Sequence, residues 1–183
     1  MSLPPFTLVT GNVNKRREAA RLLGYEPPWA DIDLPEIQSL DMAEVLNAKG
    51  EEAWSRLRGP LVVEETGLEL SAMNGFPGPL IKWMLAAVGA DGVARTVHAL
   101  GDDRAVARCG LLYRDADRTV VAMGQSVGRI LPAPRGDKGF GWDPIFVPDG
   151  LHDTYAELDA ETKGRVGHRG AAWQALVERL EIP

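Results

Sequence analysis

Apolar and polar positions show strand-like and helix-like periodicities in the first third of the chain, and these predict a strand followed by two helices. Residues 6–10 (FTLVT) are short, apolar and β-branched, as strands are, and residues 15–23 carry apolar side chains at helical spacing. Asp41 and Glu44 predict a capping box at the start of the second helix, and Gly59-Pro60 predicts its end.

The middle of the chain is predicted to contain two strands separated by an acidic turn. Residues 61–64 and 68–73 are mostly apolar, and Glu64-Glu65-Thr66-Gly67 marks the boundary between them. Pro79 suits the first residue of a helix that runs to about residue 88. Asp91 suits the cap of a further short helix.

The last part of the chain predicts paired strands and a terminal helix. Residues 104–113 and 119–131 have the composition of strands, and a polar turn joins them. The final helix is predicted to begin near His168, because Gly164 and Gly167 disfavour an earlier start. Strands and helices alternate early and strands pair late, which indicates an α/β fold with a mixed sheet.

Length and composition narrow the class of protein. The 183 residues suit one domain over positions 1–183, and 45% apolar with 25% charged residues argues against general disorder. The lone cysteine, Cys109, excludes an intrachain disulfide, and no secretory signal is visible, so a cytoplasmic location is expected. No apolar run approaches the roughly 18 residues of a membrane span. A net charge of −6 argues against a nucleic-acid partner.

TGNVNK at residues 10–15 lies where the first predicted strand turns into the first helix. Gly11 lets the backbone approach a ligand closely, and free amides at a helix start favour an anion. Asn12 and Lys15 would add a donor and a positive charge. The segment predicts either a phosphate-binding turn or a plain turn with solvated basic side chains. It matches neither the P-loop nor the dinucleotide-binding glycine pattern.

Three carboxylates are candidates for binding a hard cation. Glu64 and Glu65 are adjacent, and adjacent strand residues point to opposite faces, so only one of them easily faces a given cleft. Glu36 lies in the loop before the second helix. Magnesium usually takes one or two carboxylates together with substrate phosphates. The alternative for the acidic pair is a solvated strand end paired with arginine.

Two glycine-rich segments nearer the C-terminus carry aromatic and basic side chains. In GDKGFGWDP (136–144), Phe140 and Trp142 offer faces for stacking a base, and Asp143 offers an acceptor for a ring N–H. The alternative is that both aromatic rings anchor the loop in the core. In KGRVGHRG (163–170), the basic side chains suit a triphosphate or form an exposed basic patch.

Seven segments occur together in the order typical of one family. They are TGNVNK (10–15), LPEIQ (34–38), VVEETGLEL (62–70), GFPGPLIKW (75–83), GFGWDPIFVPDG (139–150), TYAEL (154–158) and VGHRGAAW (166–173). Through them the chain resembles the inosine/xanthosine triphosphate pyrophosphatases, house-cleaning nucleotide hydrolases, over nearly its whole length. The segment at 75–83 is more similar to the eukaryotic-type members than to the common bacterial type.

The resemblance implies a fold, a reaction and a set of site residues. The fold would be an elongated mixed β-sheet flanked by helices, with two lobes around a central nucleotide cleft, usually as a homodimer. A nucleoside triphosphate would be cleaved between its α and β phosphorus atoms, with Mg²⁺, or alternatively Mn²⁺, as cofactor. Glu36 and the acidic pair, Glu65 first, would hold the metal, and Glu65 and Lys49 would be catalytic. The implied substrate-binding residues are Thr10, Gly11, Asn12, Lys15, Thr66, Phe140, Gly141, Trp142, Asp143, Lys163, His168 and Arg169.

The chain departs from the family pattern at two positions. Glu65 stands where an aspartate is usual, and Gly167 stands where a serine is usual. Displacing the carboxylate by about 1 Å would cost on the order of a hundredfold in rate unless the backbone compensates. An active enzyme with altered metal preference is expected. Two alternatives stay open: a pyrophosphatase for modified pyrimidine triphosphates, and a nucleotide-binding sensor that has lost catalysis.

Overall fold

The computed structural model describes residues 3–181, in which a seven-stranded mixed sheet is flanked by five α-helices. The strands are β1 (Thr7–Val9), β2 (Trp29–Ala30), β3 (Leu61–Leu70), β4 (Pro77–Gly78), β5 (Arg104–Arg114), β6 (Thr119–Ile130) and β7 (Phe146–Pro148). The helices are α1 (Val13–Leu23), α2 (Met42–Leu57), α3 (Ile81–Leu100), α4 (Ala160–Val166) and α5 (His168–Glu181). The predicted α/β class with a mixed sheet is confirmed.

The strand order places the predicted acidic pair in the middle of the sheet. The order is β2-β1-β3-β5-β6-β7, and β4 pairs with β3 outside this path. β1 runs parallel to β2 and β3, whereas β3, β5, β6 and β7 form antiparallel pairs. β3 is therefore a central strand with neighbours on both sides.

Apolar clusters cover both faces of the sheet. Val62 belongs to a cluster shared with α5, and Val63 to a cluster shared with α2, because neighbouring strand residues point to opposite faces. A third cluster joins α3 to the loop around β7 and includes Trp142 and Tyr155. Within residues 3–181, no helix has both the length and the apolar character needed to cross a membrane.

The predicted break between two strands in the middle of the chain is wrong, because β3 runs without interruption through the acidic pair. Glu64 pairs with Leu111 of β5, and Glu65 pairs with Gly110. Both carboxylates are buried but ion-paired, and the pairing offsets the cost of placing charge inside the sheet. The acidic pair thus lies within a strand and not at its end.

The region before His168 also differs from the prediction. α5 begins at His168 as predicted, but α4 precedes it, although Gly164 and Gly167 suggested otherwise. An added Cβ at Gly170 would overlap the carbonyl oxygen of Gly164, so Gly170 allows α4 and α5 to pack closely. Gly164 lies inside α4 and Gly167 follows its last residue, so neither prevents that helix.

Two further helix predictions need adjustment. Asp41 caps α2, but Glu44 does not return to the Asp41 amide. The Ser39 hydroxyl accepts that amide at 3.0 Å and donates to Glu44 at 2.6 Å. The two helices predicted between residues 79 and 100 form the single element α3, which is kinked at Gly89 with φ 68° and begins at Ile81, two residues after Pro79.

Candidate active site

The turn between β1 and α1 exposes the first amides of a helix. Asn12 caps α1, and its Oδ1 accepts two amides of the first turn, including that of Lys15, at 2.9 and 3.2 Å. The Asn12 amide donates to the Thr10 hydroxyl at 3.1 Å. An added Cβ at Gly11 would come within 2.5 Å of the Asp31 carboxylate, so a larger residue there would require Asp31 to move. The turn is fixed at the place where α1 favours an anion.

The two glutamates of β3 face different helices and belong to different charge clusters. Glu65, like Val63, faces α2, and Glu64, like Val62, faces α5. We call the first group the lysine cluster; it contains Glu36, Lys49, Glu65 and Lys82. We call the second the arginine cluster; it contains Lys15, Glu18, Glu64, Asp143, Lys163 and Arg169.

In the lysine cluster, one ammonium group lies between two carboxylates. Lys49 Nζ donates to Glu36 Oε1 at 3.1 Å and also to Glu65. Lys82 Nζ contacts the other oxygen of Glu36 at 2.9 Å. Burial alone would lower the pKa of Lys49, but Glu65 and Glu36 outweigh it and raise that pKa. Burial alone would raise the pKa of Glu36, but Lys82 and Lys49 hold it below its ordinary value. Lys49 and Glu36 are therefore charged at neutral pH.

The lysine cluster fits a divalent cation that is also bound by a substrate. Glu36 and Glu65 converge on one positive group, and the Glu36 side chain is 30% exposed, so the site is open to a ligand. No group of three or more acidic, histidine or cysteine side chains within residues 3–181 could hold a metal. The protein would supply two carboxylates, and phosphate or water would supply the other ligands, as is typical of magnesium.

In the arginine cluster, a fully buried carboxylate binds a guanidinium group. Arg169 Nε lies 3.1 Å from each oxygen of Glu64, and Arg169 Nη2 lies 2.9 Å from Oε1. Lys15 Nζ lies 3.5 Å from the same Oε1. Burial alone would raise the pKa of Glu64, but Arg169 and Lys15 hold it below its ordinary value. Glu18 accepts from Arg169 and, at 2.6 Å, from Lys163.

The loop that was expected to enclose a base is tied to the same cluster. Asp143 accepts from the Phe140 amide and from Lys163 Nζ, both at 2.7 Å. Burial raises the pKa of Asp143, although Lys163 opposes the shift. Trp142 packs in the core, as the alternative interpretation expected. Phe140 is half-buried, and its ring centroid lies 5.4 Å from Lys163 Nζ. Gly139 lies against the Asp143 carboxylate, where no Cβ fits.

A pocket of about 1350 Å³ opens between α1, α4, α5 and the loop around residue 140. Phe140, His168, Arg169 and Trp173 contribute to its wall. Two atoms of these residues, His168 Nδ1 and Trp173 Nε1, are buried and have no hydrogen-bond partner among residues 3–181. Burial first, and then the positive neighbours, lower the pKa of His168 well below its usual range, so its ring is neutral. Because both polar atoms lie behind the wall, the half-buried ring of Phe140 is the group that the pocket offers to a heterocyclic ligand.

The start of α5 is held close to the sheet, and this fixes two predicted site residues. A Cβ at Gly124 of β6 would overlap the backbone of His168 and Ala172. Only glycine allows this approach, so Arg169 is carried directly over the central strands, where it meets Glu64. Packing at Gly124 therefore sets the position of the arginine cluster.

The structure brings about half of the predicted site residues into these two neighbouring clusters, and others lie beside them. Thr66 follows Glu65 on β3, and its amide donates to Glu65 Oε1 at 3.0 Å. Gly141 lies in the loop beside Phe140 with φ 63°. Glu64 does not face Glu36 and Glu65. It pairs with Arg169, as one interpretation of the acidic pair expected, but it is buried within β3 and is not a solvated strand end.

The predicted site lacks two charged residues of the clusters, Glu18 and Lys82. Glu18 lies one turn after Lys15 on α1, and that spacing would have placed both side chains on one face of the predicted helix. Lys82 lies in the first turn of α3 and contacts Glu36, which is 46 positions away. No local pattern indicates that second contact.

Comparisons with known proteins agree on one family. A family model described as the Ham1 family matches residues 6–179. The Ham1 protein of Staphylococcus aureus is 28% identical, with TM-score 0.74, over 96% of this chain and 98% of that chain. A HAM1 protein of Coxiella burnetii is 26% identical, with TM-score 0.80, over 96% and 98%. A nucleoside-triphosphatase / dITP/XTP pyrophosphatase of Mycobacterium abscessus is 27% identical, with TM-score 0.70, over 95% and 99%.

Proposed function

This chain belongs to the Ham1 family, and on that premise we propose that it hydrolyses inosine and xanthosine triphosphates, and their deoxy forms, to the nucleoside monophosphate and pyrophosphate. One observation supports this best. Lys49 lies between Glu36 and Glu65, and Glu64, the residue before Glu65 on β3, holds Arg169 at the wall of a large pocket. Such a pair of clusters suits a molecule with an anionic end and a heterocyclic end. A similar protein is named a dITP/XTP pyrophosphatase.

At the anionic end, the residues around β1 and α2 would bind the triphosphate. The positive end of α1 and the ammonium groups of Lys15, Lys49 and Lys82 would offset its charge, which is most of the catalysis in phosphoryl transfer. Glu36 and Glu65 would hold Mg²⁺, or alternatively Mn²⁺. When bound, the ion polarises phosphate oxygens and neutralises developing charge.

Glu65 would orient the attacking water and accept its proton at Oε2. The water oxygen bonds to phosphorus as the bond between the α and β phosphoryl groups breaks, and pyrophosphate leaves. Glu65 is one methylene longer than the usual aspartate. Its Oε1 accepts the Thr66 amide at 3.0 Å, and this contact anchors the longer side chain. The anchor supports an active enzyme over a sensor that has lost catalysis.

At the heterocyclic end, the arginine cluster and the loop around Phe140 would select the base. Lys163 and Arg169 donate hydrogen bonds, which suits a 6-oxo group and leaves donors facing a donor when the 6-amino group of adenine enters. Mismatches of this kind in a site built for hydrogen bonding discriminate by roughly ten-thousandfold. Guanine shares the 6-oxo group, so its exclusion would have to act at the 2-amino group.

The experiment is a panel of substrates with purified protein and MgCl2. Inosine, xanthosine, adenosine, guanosine and modified pyrimidine triphosphates are compared by kcat/KM, and monophosphate, pyrophosphate and orthophosphate are quantified. We expect monophosphate and pyrophosphate from the inosine and xanthosine forms, with ATP spared. Preference for a pyrimidine would favour the related pyrophosphatase, and micromolar binding of inosine triphosphate without turnover would favour the sensor.

We further infer a homodimer from exposed apolar side chains beside the lysine cluster. Ile37, Leu40, Phe76 and Trp83 are all exposed. The segments that carry them are neighbours, because Lys82 contacts Glu36 at 2.9 Å and Leu40 lies next to Gly78. An exposed apolar patch typically marks an interface. Light scattering should give twice the chain mass for the parent and a smaller value for Leu40→Asp. A cytoplasmic location and a single domain over residues 1–183 stay predictions.

A further inference from the structure

Glu64 is a buried carboxylate that the proposed mechanism does not use. Its side chain is 1% exposed, and it lies one residue from Glu65 but on the other face of β3. Both of its oxygens already accept from Arg169, with distances between 2.9 and 3.1 Å. A cation on Glu64 would have to displace a guanidinium group that is charged at every accessible pH. Glu64 is therefore poorly placed as a metal ligand.

Glu64 binds two cations that come from different ends of the site. Arg169 is carried by α5 and lies in the wall of the pocket near Phe140. Lys15 is carried by the first turn of α1, and its Nζ lies 3.5 Å from Glu64 Oε1. Within residues 3–181, no other carboxylate lies within 4.0 Å of that ammonium group. One rigid carboxylate thus sets the distance between the two cations.

The geometry restrains Arg169 more strongly than Lys15. Glu64 and Glu18 together engage three nitrogens of the Arg169 guanidinium group, and this fixes its plane. Lys15 has a single, longer contact, so its position depends on where Arg169 holds Glu64. A ligand that shifts Arg169 would therefore shift Glu64 and, with it, the only carboxylate contact that the described residues give Lys15.

We propose that Glu64 is a positioning residue that couples binding at the base end to binding at the triphosphate end, by holding Arg169 and Lys15 on one carboxylate. The inference rests on the proposed function for the identity of the two ends. Its consequence is that the two halves of the substrate bind cooperatively. Two sites coupled in this way typically alter each other's affinity by about 5- to 150-fold.

The test uses the two halves of the substrate as separate ligands. Inorganic triphosphate with MgCl2 is titrated into the full-length protein by calorimetry, with and without saturating inosine. In the parent protein, inosine should tighten triphosphate binding by about tenfold. In Glu64→Gln, which keeps the shape of the side chain and removes its charge, the factor should fall to about one. Glu64→Asp keeps the charge with a shorter reach and should give an intermediate factor.

A matched control lies on the same strand. Glu69 pairs with Arg108 at 2.5 Å, away from both clusters, so Glu69→Gln should leave the coupling factor unchanged. If Glu64→Gln does not fold, Arg169→Lys replaces it, because an ammonium group lacks the planar fork with which Arg169 engages Glu64 and Glu18 through three nitrogens. That variant should also lose the coupling. Equal coupling in the parent and in the variants, or no coupling in the parent, would overturn the proposal.

Kinetics separate this inference from the proposed function. Glu64→Gln should lower kcat/KM for inosine triphosphate by about 100-fold, the cost of misplacing substrate by about 1 Å, and should reduce the preference over ATP. Its MgCl2 requirement should stay that of the parent, whereas Glu36→Gln should raise that requirement and keep the base preference. If Glu64→Gln instead needs more MgCl2 and keeps the base preference, Glu64 is a metal ligand. That result would overturn this inference and leave the proposed function in place. A parent protein that does not hydrolyse inosine triphosphate would contradict the proposed function, and the calorimetric test would still stand.

Discussion

Two adjacent glutamates of β3, Glu64 and Glu65, are held to different degrees because one binds a guanidinium group and the other binds an ammonium group. Glu64 is 1% exposed and locked by the planar fork of Arg169, whereas Glu65 meets the single ammonium group of Lys49 in a cluster that opens to solvent. A guanidinium fork fixes geometry, while an ammonium group is a point charge that moves easily. The arginine cluster therefore suits a permanent framework, and the lysine cluster suits ligands that come and go. Residue type alone predicts neither role.

The largest expected effect is a loss of kcat in the lysine cluster. Glu65→Gln should lower kcat for inosine triphosphate by about a thousandfold, because it removes a positioned base. Binding of inosine should stay within a fewfold of the parent, because the arginine cluster is on the other face. Steady-state kinetics and calorimetry measure the two quantities. Turnover within about threefold of the parent would remove Glu65 from any essential role.

A smaller effect is expected where α4 meets α5 and supports the arginine cluster. Gly167→Ser would place a Cβ about 2.5 Å from the Lys163 carbonyl oxygen, so the backbone must shift. Overpacking of this kind typically lowers the free energy of unfolding by about 1–3 kcal/mol. Urea denaturation measures that loss, and the MgCl2 requirement should not change. A variant as stable as the parent would contradict this expectation and show that the backbone between α4 and α5 shifts at little cost in free energy.

Glu65→Asp sharpens the comparison at the position where the chain departs from its family. Aspartate is one methylene shorter and loses reach towards Lys49, which lies on a different element. We expect kcat to fall by about tenfold, less than the hundredfold that a full 1 Å displacement would cost. Parallel assays with MgCl2 and MnCl2 measure the change. A gain in turnover would instead support the view that Glu65 impairs this chain.

The smallest expected effect is on the pH dependence of the free energy of unfolding, through His168 beside the arginine cluster. His168 has a pKa well below 6.5 in the folded protein, and an unfolded histidine titrates near 6.5. Below about pH 6.5 the unfolded state binds the extra proton, so the free energy of unfolding falls as pH falls. The contribution is at most about 1.4 kcal/mol per pH unit. Denaturation at pH 7.0 and 5.5 should show a weaker pH dependence in His168→Gln than in the parent, and identical dependence would contradict the buried neutral ring.

The sequence predicted well those features that depend on local chemistry. The turn at TGNVNK, the start of α5 at His168 and the antiparallel pair β5–β6 all follow from short-range patterns. The first helix begins at Val13, two residues before the predicted start, because Asn12 caps it. The opposite orientation of Glu64 and Glu65 follows from strand alternation alone. These features need no knowledge of distant residues.

The features that the sequence did not predict depend on distant partners. β3 continues through Glu64 because Arg169, 105 positions later, offsets its charge. Lys163 finds Glu18 across 145 positions, and no pattern along the chain marks that pair. Gly124 and Gly170 serve close backbone approaches that become visible only when the elements are packed. The acidic pair predicts a strand end because the cations that pair with it, Lys49 and Arg169, are distant in the sequence.

The most direct test of the central claim is phosphorus NMR of one reaction with inosine triphosphate, MgCl2 and the parent protein. The account predicts that inosine monophosphate and pyrophosphate appear in equal amounts, with no diphosphate or orthophosphate, and that ATP under the same conditions stays intact. Release of inosine diphosphate and orthophosphate, or persistence of bound triphosphate without turnover, would contradict it.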